Sequence, residues 1–332
     1  MATYKGIKGV KVESRASDPT ASAATAGTIW YNTATTALKY AIEGAGAWSA
    51  GNALNQPREE LAGARNGTTT AALVFGGNYP GAGYADQTET YNGTSWTEVN
   101  DMIRGRSQPG GLGIQTAAMA VGGNYPTDTN YDEMWDGTCW TEVADTTTWR
   151  VAGQATGTTT AGIISGGSSP SFGGLKCETW NGTSWTEVND LSRSAPTAGY
   201  GTSCGTTTAA LYAGGGSPAG VDLNEIWDGT SWTESNDLNT ARYGAEAMGI
   251  TTAAMAVGGI SDPVGVYAVT EKYDGTSWTE VGDLGTARKF LGGGGTTTAG
   301  LVAGGGPYAT PLSGLTEEWA DPVFTVKTVT VS

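Results

Sequence analysis

Arginine and acid recur in step along this chain. Arg106, Arg150, Arg242 and Arg288 each lie five residues after an aspartate (Asp101, Asp145, Asp237 and Asp283), Arg193 follows Asp190 by three, and Arg58 holds the same place further upstream. Six guanidinium groups brought together on one face would hold an anion such as the carboxylate of an acidic sugar. The other outcome is structural: each arginine bridges its aspartate across a loop, or pairs with Glu98, Glu142, Glu187, Glu234 or Glu280. Recurrence in every unit favours the structural outcome. Glycoside hydrolysis needs only two carboxyl groups, but the conspicuous carboxylates also recur, which is how scaffolding behaves. Histidine is absent, which removes Ser-His-Asp and Cys-His triads, His-bound zinc and most copper sites. Cys139, Cys177 and Cys204 are odd in number and occupy different places in the pattern, so no disulfide framework is implied. No metal or cofactor is expected, and no Asp-x-Asp-x-Asp-Gly calcium loop occurs.

A second candidate surface lies in segments that do not recur. Residues 78–87, 124–131, 168–176, 217–224, 260–269 and 307–315 differ in length and wording while their flanks stay uniform. They carry Tyr79, Tyr84, Tyr125, Tyr131, Phe172, Tyr267 and Tyr308, aromatic residues outside the recurring positions. A tyrosine offers a flat apolar ring with a polar tip, suited to stacking on a sugar or packing against protein. Singly, such a tyrosine is more often a packed loop residue; together on one face they point to binding.

The elements that position these residues follow from the recurrence. Asn-Gly-Thr-Ser-Trp-Thr-Glu or a close variant surrounds Trp96, Trp140, Trp185, Trp232 and Trp278, which stand between 44 residues (96 to 140) and 47 residues (185 to 232) apart. A second phrase, such as GTTTAALVFGG from Gly67 or GITTAAMAVGG from Gly249, precedes each variable segment. Asn-Gly and Asp-Gly tolerate positive φ and mark hairpins. Each unit therefore reads as four short strands: one after the arginine, the Gly-Gly strand, a Tyr or Trp strand, and the Trp-Thr-Glu strand. Four strands per unit of this length predict an all-β propeller of antiparallel blades, in which closure removes exposed edges. The Ala and Gly of the second strand suit a crowded axis. Loops from the second to the third strand and from blade to blade then emerge on one face, bringing the tyrosines and arginines together.

The Gly-Gly strand ends, the spaced aromatic and the later tryptophan resemble kelch repeats, a fold shared with galactose oxidase. The copper chemistry of that enzyme needs histidine ligands that are missing here, so the likeness implies fold alone. The wording NGTSWTEVNDL followed by arginine is similar to kelch-like propellers of tailed phages, especially marine ones, and MATYKGIKGVKV and GTIWYNTATTALKY resemble the starts of virion-appendage proteins. The [DN]-G-T-S-W phrase is not the sialidase Asp-box, because its acid abuts the glycine; turn preference explains it. The sequons at Asn66, Asn92 and Asn181 are by-products of the same turns.

Six Gly-Gly strands are countable, and the ends leave six or seven blades. In the six-blade solution the strand at Trp48 closes against the strand at Trp319. In the seven-blade solution residues 28–50 form a degenerate blade, and the hairpin from Trp30 to Tyr40 favours this one. Residues 1–27 then form an N-terminal arm, 28–321 the propeller and 322–332 a closing strand. A formal net charge of −15 argues against nucleic acid and anionic membranes. No apolar stretch approaches a membrane span or a signal-peptide core. Together these features lead to the expectation of a non-enzymatic virion protein, a tail-fibre or decoration module assembled in the host cytoplasm. It would attach to other virion proteins through the N-terminal segment, associate with itself, and bind a host-surface glycan or protein through the loop face. The alternatives are a glycan-cleaving propeller, which a unique acid pair in an axial pocket would favour, and an intracellular kelch-type interaction scaffold.

Overall fold

Each recurring Asn-Gly or Asp-Gly pair makes a hairpin whose side chain ties its own turn. Asp136 Oδ1 accepts from the backbone N–H groups of Thr138 (2.7 Å) and Cys139 (2.8 Å), and Gly137 takes φ 95°. Asn92, Asn181, Asp228 and Asp274 repeat that arrangement. The turn joins two strands whose aromatics face each other directly, as in the pairs Tyr91↔Trp96, Trp135↔Trp140 and Trp227↔Trp232. Such cross-strand aromatic pairs fix the register of a narrow sheet.

The chain, seen in a computed structural model that describes residues 12–22, 24–43, 46–79, 83–168, 174–194, 199–307, 312–321 and 324–329, divides into two compact units. The larger, Ala47–Ala320, holds six four-stranded antiparallel sheets. Their innermost strands are Ala62–Gly63, Gly110–Ile114, Gln154–Thr158, Thr202–Thr206, Glu246–Ile250 and Gly292–Gly295, each packed on the next and the last on the first. Six apolar clusters fill the six blade-to-blade gaps, for instance Leu73, Phe75, Ala118, Ala120, Trp135 and Trp140 between the first two blades. The axis is more crowded than expected one strand further in. A Cβ on Gly63 would overlap the backbone of Gly293, and one on Gly111 the carbonyl of Gly63, so the first strand of the blade, not the second, lines the axis.

The ring closes on the six-blade solution. Ala47–Gly51 supplies the outer strand of the last blade, with Trp48 opposite Trp319. Trp96 Nε1 donates to Thr316 Oγ1 across the closing interface (2.8 Å), as Trp140 Nε1 does to Thr88 Oγ1 (2.9 Å) and Trp48 Nε1 to Thr270 Oγ1 (2.9 Å) at other interfaces. The hairpin that favoured seven blades exists but lies in the second unit, Met1–Gly46 with Asp321–Ser332. There Ile29–Asn32 and Ala37–Glu43 form the expected hairpin. Glu13–Arg15 adds in parallel at one edge and Phe324–Thr328 in antiparallel at the other. The propeller thus begins at Ala47 rather than residue 28. The C-terminal strand completes the terminal sheet instead of closing the propeller.

Candidate active site

Immediately before each innermost strand the chain turns over the axis through one residue in the left-handed region: Glu60, Gln108, Ala152, Tyr200, Gly244 and Phe290, with φ between 53° and 64°. Backbone hydrogen bonds pass from one blade to the next through these residues. Gln108 N–H donates to the Glu60 carbonyl (2.8 Å), Ala152 N–H to Gln108 (3.0 Å), Gly244 N–H to Tyr200 (2.8 Å), Phe290 N–H to Gly244 (2.8 Å) and Glu60 N–H to Phe290 (3.0 Å). This ring explains why five residues other than glycine accept a conformation that side chains disfavour, and backbone of that kind gathers at functional sites. The backbone is cyclically repeated, but the side chains are not. Acid and amide stand on one side, where Gln108 Nε2 donates to Glu60 Oε1 (2.7 Å); Tyr200 and Phe290 stand on the other, with ring centroids 5.9 Å apart.

Below this mouth a well of about 40 Å³ descends along the axis. Its floor is made by an insertion that only the first blade has. After Gly63 the chain swings across the axis, and Arg65 reaches three other blades. Its Nη1 donates to the Ser203 carbonyl (2.5 Å), its Nη2 to Gln154 Oε1 (2.6 Å), and its Nε lies 3.3 Å from Glu246 Oε1. Asn66 continues the crossing, its side chain donating to the Gly157 carbonyl (2.8 Å). Gln154 and Glu246 open their strands at equivalent positions, where the other blades have Ala62, Gly110, Thr202 and Gly292.

Glu246 is 3% exposed. Burial raises its carboxyl to about 7, although Arg65 pulls the other way. Arg65 Nη2 donates a long hydrogen bond to Glu246 Oε2 (3.5 Å), whereas its Nε approach to Oε1 is poorly aligned for one, and Oε1 has no other hydrogen-bond partner in the protein. Glu60 is also raised, first by burial and then by the neighbouring charge of Glu59, with Gln108 opposing. Two carboxyl groups that protonate more readily than usual, neither a blade repeat, thus face one axial well. The well that both residues line, about 40 Å³, is of the size of a water molecule or two.

The six recurring arginines are not on that surface. Arg58, Arg106, Arg150, Arg193, Arg242 and Arg288 are each at most 7% exposed. They pair with Glu89, Glu133, Glu178, Glu225, Glu271 and Glu317 of the third strands, at 2.5 Å for Arg58, 2.6 Å for Arg242 and 2.8 Å for Arg288. Each glutamate also accepts a backbone N–H from the incoming blade-to-blade loop, as Glu271 does from Asn239 (2.7 Å) and Glu317 from Gly285 (2.6 Å). The structural outcome holds with different partners. Glu98, Glu142, Glu187, Glu234 and Glu280 stand exposed on the outer strands, while Asp237 and Asp283 accept the first N–H of third strands and Asp145 accepts that of Asp132 within one.

Of the loop aromatics, Phe172 and Tyr308 lie outside the described residues. Tyr79 donates to Gln87 within its own loop, and Tyr267 is half-buried with its N–H bound to the Gly259 carbonyl (2.8 Å). Tyr84, Tyr125 and Tyr131 come together around the second blade. Tyr84 meets Tyr125 edge-on with centroids 5.5 Å apart, and the Arg104 guanidinium lies 4.0 Å above the Tyr131 ring. A cleft of about 790 Å³ opens there, lined also by Trp149. Among the described residues no cluster of three His, Cys, Asp or Glu side chains is placed to hold a metal ion, and no helix is long and apolar enough to cross a membrane.

The all-β architecture, six Arg-anchored blades and an axial well define a kelch-like β-propeller. The chain matches no family model and no curated protein. Among solved structures it is similar to YjhT, with a TM-score of 0.63 and 12% identity over 84% of this chain and 99% of that one. The expectation of a non-enzymatic virion module does not stand beside this likeness. Identity this low establishes the fold and leaves the activity to the residues. Sequence reasoning missed Glu60, Arg65, Gln154, Glu246 and Trp149; their signal was departure from the repeat, which is visible only once the blades are aligned strand by strand.

Proposed function

We propose that this propeller is a glycan-cleaving enzyme whose reacting groups are Glu60 and Glu246 in the axial well. The observation that supports it is their convergence: two acids absent from the equivalent positions of the other blades, both pushed upward by burial, lining one small axial well. In this reading the well admits the attacking water and the glycan lies across the mouth. Glu246, its carboxyl raised to about 7 by burial, takes a proton from that water as it attacks the anomeric carbon. The glycosidic C–O bond breaks and its oxygen takes the proton held by Glu60. Arg65 and Gln154 position the Glu246 carboxyl and contact no substrate. Tyr200 and Phe290 form the apolar side of the mouth against which a sugar ring packs.

The test is hydrolysis of a panel of fluorogenic glycosides, acidic and neutral, by the intact protein and by Glu246→Gln and Glu60→Gln. Loss of general acid–base help lowers kcat/KM by about a hundred-fold or more in each variant. Cleavage unaffected by either substitution overturns the assignment. The phage origin suggested by the repeat wording, with carriage on a virion, self-association and docking through the N-terminal segment, is proposed only as a setting for such an enzyme. Mass spectrometry of purified particles tests it.

A further inference from the structure

Eleven of the twelve tryptophans are buried or half-buried between and within sheets; Trp149 is the exception, 37% exposed. It precedes the anchoring Arg150 at a place where other blades have Pro57, Gly105, Ser192, Ala241 and Ala287, so no repeat constraint calls for an aromatic there. Its ring faces the cleft of the second blade, whose other wall is the loop carrying Tyr125, 45% exposed. Both platforms are held in place. The edge contact with Tyr84 and the bond from Tyr125 N–H to the Thr127 carbonyl (2.8 Å) fix one, and the buried Arg150 anchors the other.

We propose that this cleft is a pyranose-binding subsite, separate from the axial well, in which Trp149 and Tyr125 stack on sugar rings while polar groups take the hydroxyls. A sugar has apolar C–H faces and a hydroxyl rim, and the cleft pairs exposed rings with Asn124, Thr129 and Arg104. The Arg104 charge is already matched by Glu142 at 3.2 Å, and the whole chain carries −15, so an anionic polymer that stacks its bases is the poorer fit. A volume of about 790 Å³ suits an oligosaccharide, whereas the axial well accepts a single small group. Two short backbone paths join cleft and well on the same face. Asn124 bridges to Ser107, next to Gln108 of the mouth, and Trp149 stands three residues before Ala152 of the same mouth. A glycan whose end reaches the well therefore extends outward over the second blade. The inference takes its ligand class from the axial reading but does not depend on cleavage there.

The test applies the intact protein, Trp149→Ala, Tyr125→Ala and Glu246→Gln to a glycan microarray, with thermal midpoints recorded for each. Trp149→Ala and Tyr125→Ala are expected to lose at least ten-fold in signal on glycans that the unaltered protein binds, with midpoints nearly unchanged because both side chains are exposed. Glycoside hydrolysis is assayed on the same proteins in parallel. Loss of hydrolysis in Glu246→Gln reports on the axial well and loss of array signal in Trp149→Ala and Tyr125→Ala reports on the cleft, which separates failure of the axial reading from failure of this one. No bound glycan, or binding indifferent to both aromatic substitutions, overturns the subsite. Trp149-dependent capture of peptides or oligonucleotides in place of sugars overturns the ligand class.

Discussion

Burying one carboxyl beside one guanidinium makes the axial well sensitive to pH in a way that stability measurements read directly. Folded Glu246 holds its proton up to about pH 7, while an unfolded glutamate releases it near 4.5. Between those values the folded state binds more protons than the unfolded one, so stability falls as pH rises and levels off above 7, by on the order of 3 kcal/mol at most. Glu246→Gln removes that decline. Urea denaturation of both proteins from pH 4 to 8 gives a difference curve that slopes below pH 7 and flattens above it; a flat curve throughout means Glu246 titrates normally. The residue was legible in the sequence only as one acid among many. Its role depends on Arg65, an insertion in another blade, and nothing in the spacing of Arg65 and Glu246 shows that a loop carries one across the axis to the other.

At the scale of the strand, the recurring Arg–Glu pairs fasten each blade's third strand and its incoming loop to the start of its innermost strand. Five of the six blades offer two recurring glutamates, such as Glu271 and Glu280 in the fifth, and the phrase alone does not choose between them. Depth in the sheet chooses: Glu280 lies on the outermost strand facing solvent, and Glu271 one strand further in points at Arg242 (2.6 Å). Removing one member of such a pair leaves the other charge buried. Arg242→Met is therefore expected to lower unfolding free energy by about 3–5 kcal/mol, and the double replacement with Glu271→Leu by clearly less. Chemical denaturation of the two variants checks the order, and equal losses would mean the pair is not the anchor. Hairpins, strand order and the outer tryptophans were legible, because Asp-Gly turns and facing aromatics are local. The loop surface was legible in part: Tyr84, Tyr125 and Tyr131 do gather, while Trp149 joins them from a blade-to-blade loop.

For the whole molecule, the count of blades is decided by where the ring is sewn shut. Trp48 was visible as a repeat tryptophan, but both six and seven blades could use it. Its pairing with Trp319 makes Ala47–Gly51 the outer strand of a sixth blade, and Trp96 bonds to Thr316 across the join. Deleting residues 1–51 removes that strand and is expected to abolish cooperative unfolding of the propeller, whereas a chain of residues 47–320 retains it. Calorimetry of the two distinguishes this closure from one in which the Trp48 strand is dispensable. A closed ring of six identical turns makes one central mouth, and unlike side chains at those turns give it a chemistry that no single blade possesses. The most direct measurement is the pH profile of kcat/KM for glycoside hydrolysis by the intact protein beside Glu246→Gln. The account predicts a rising limb near pH 7 that disappears, with most of the activity, in the variant. Hydrolysis with the same profile in both proteins, or none across the panel, would contradict it.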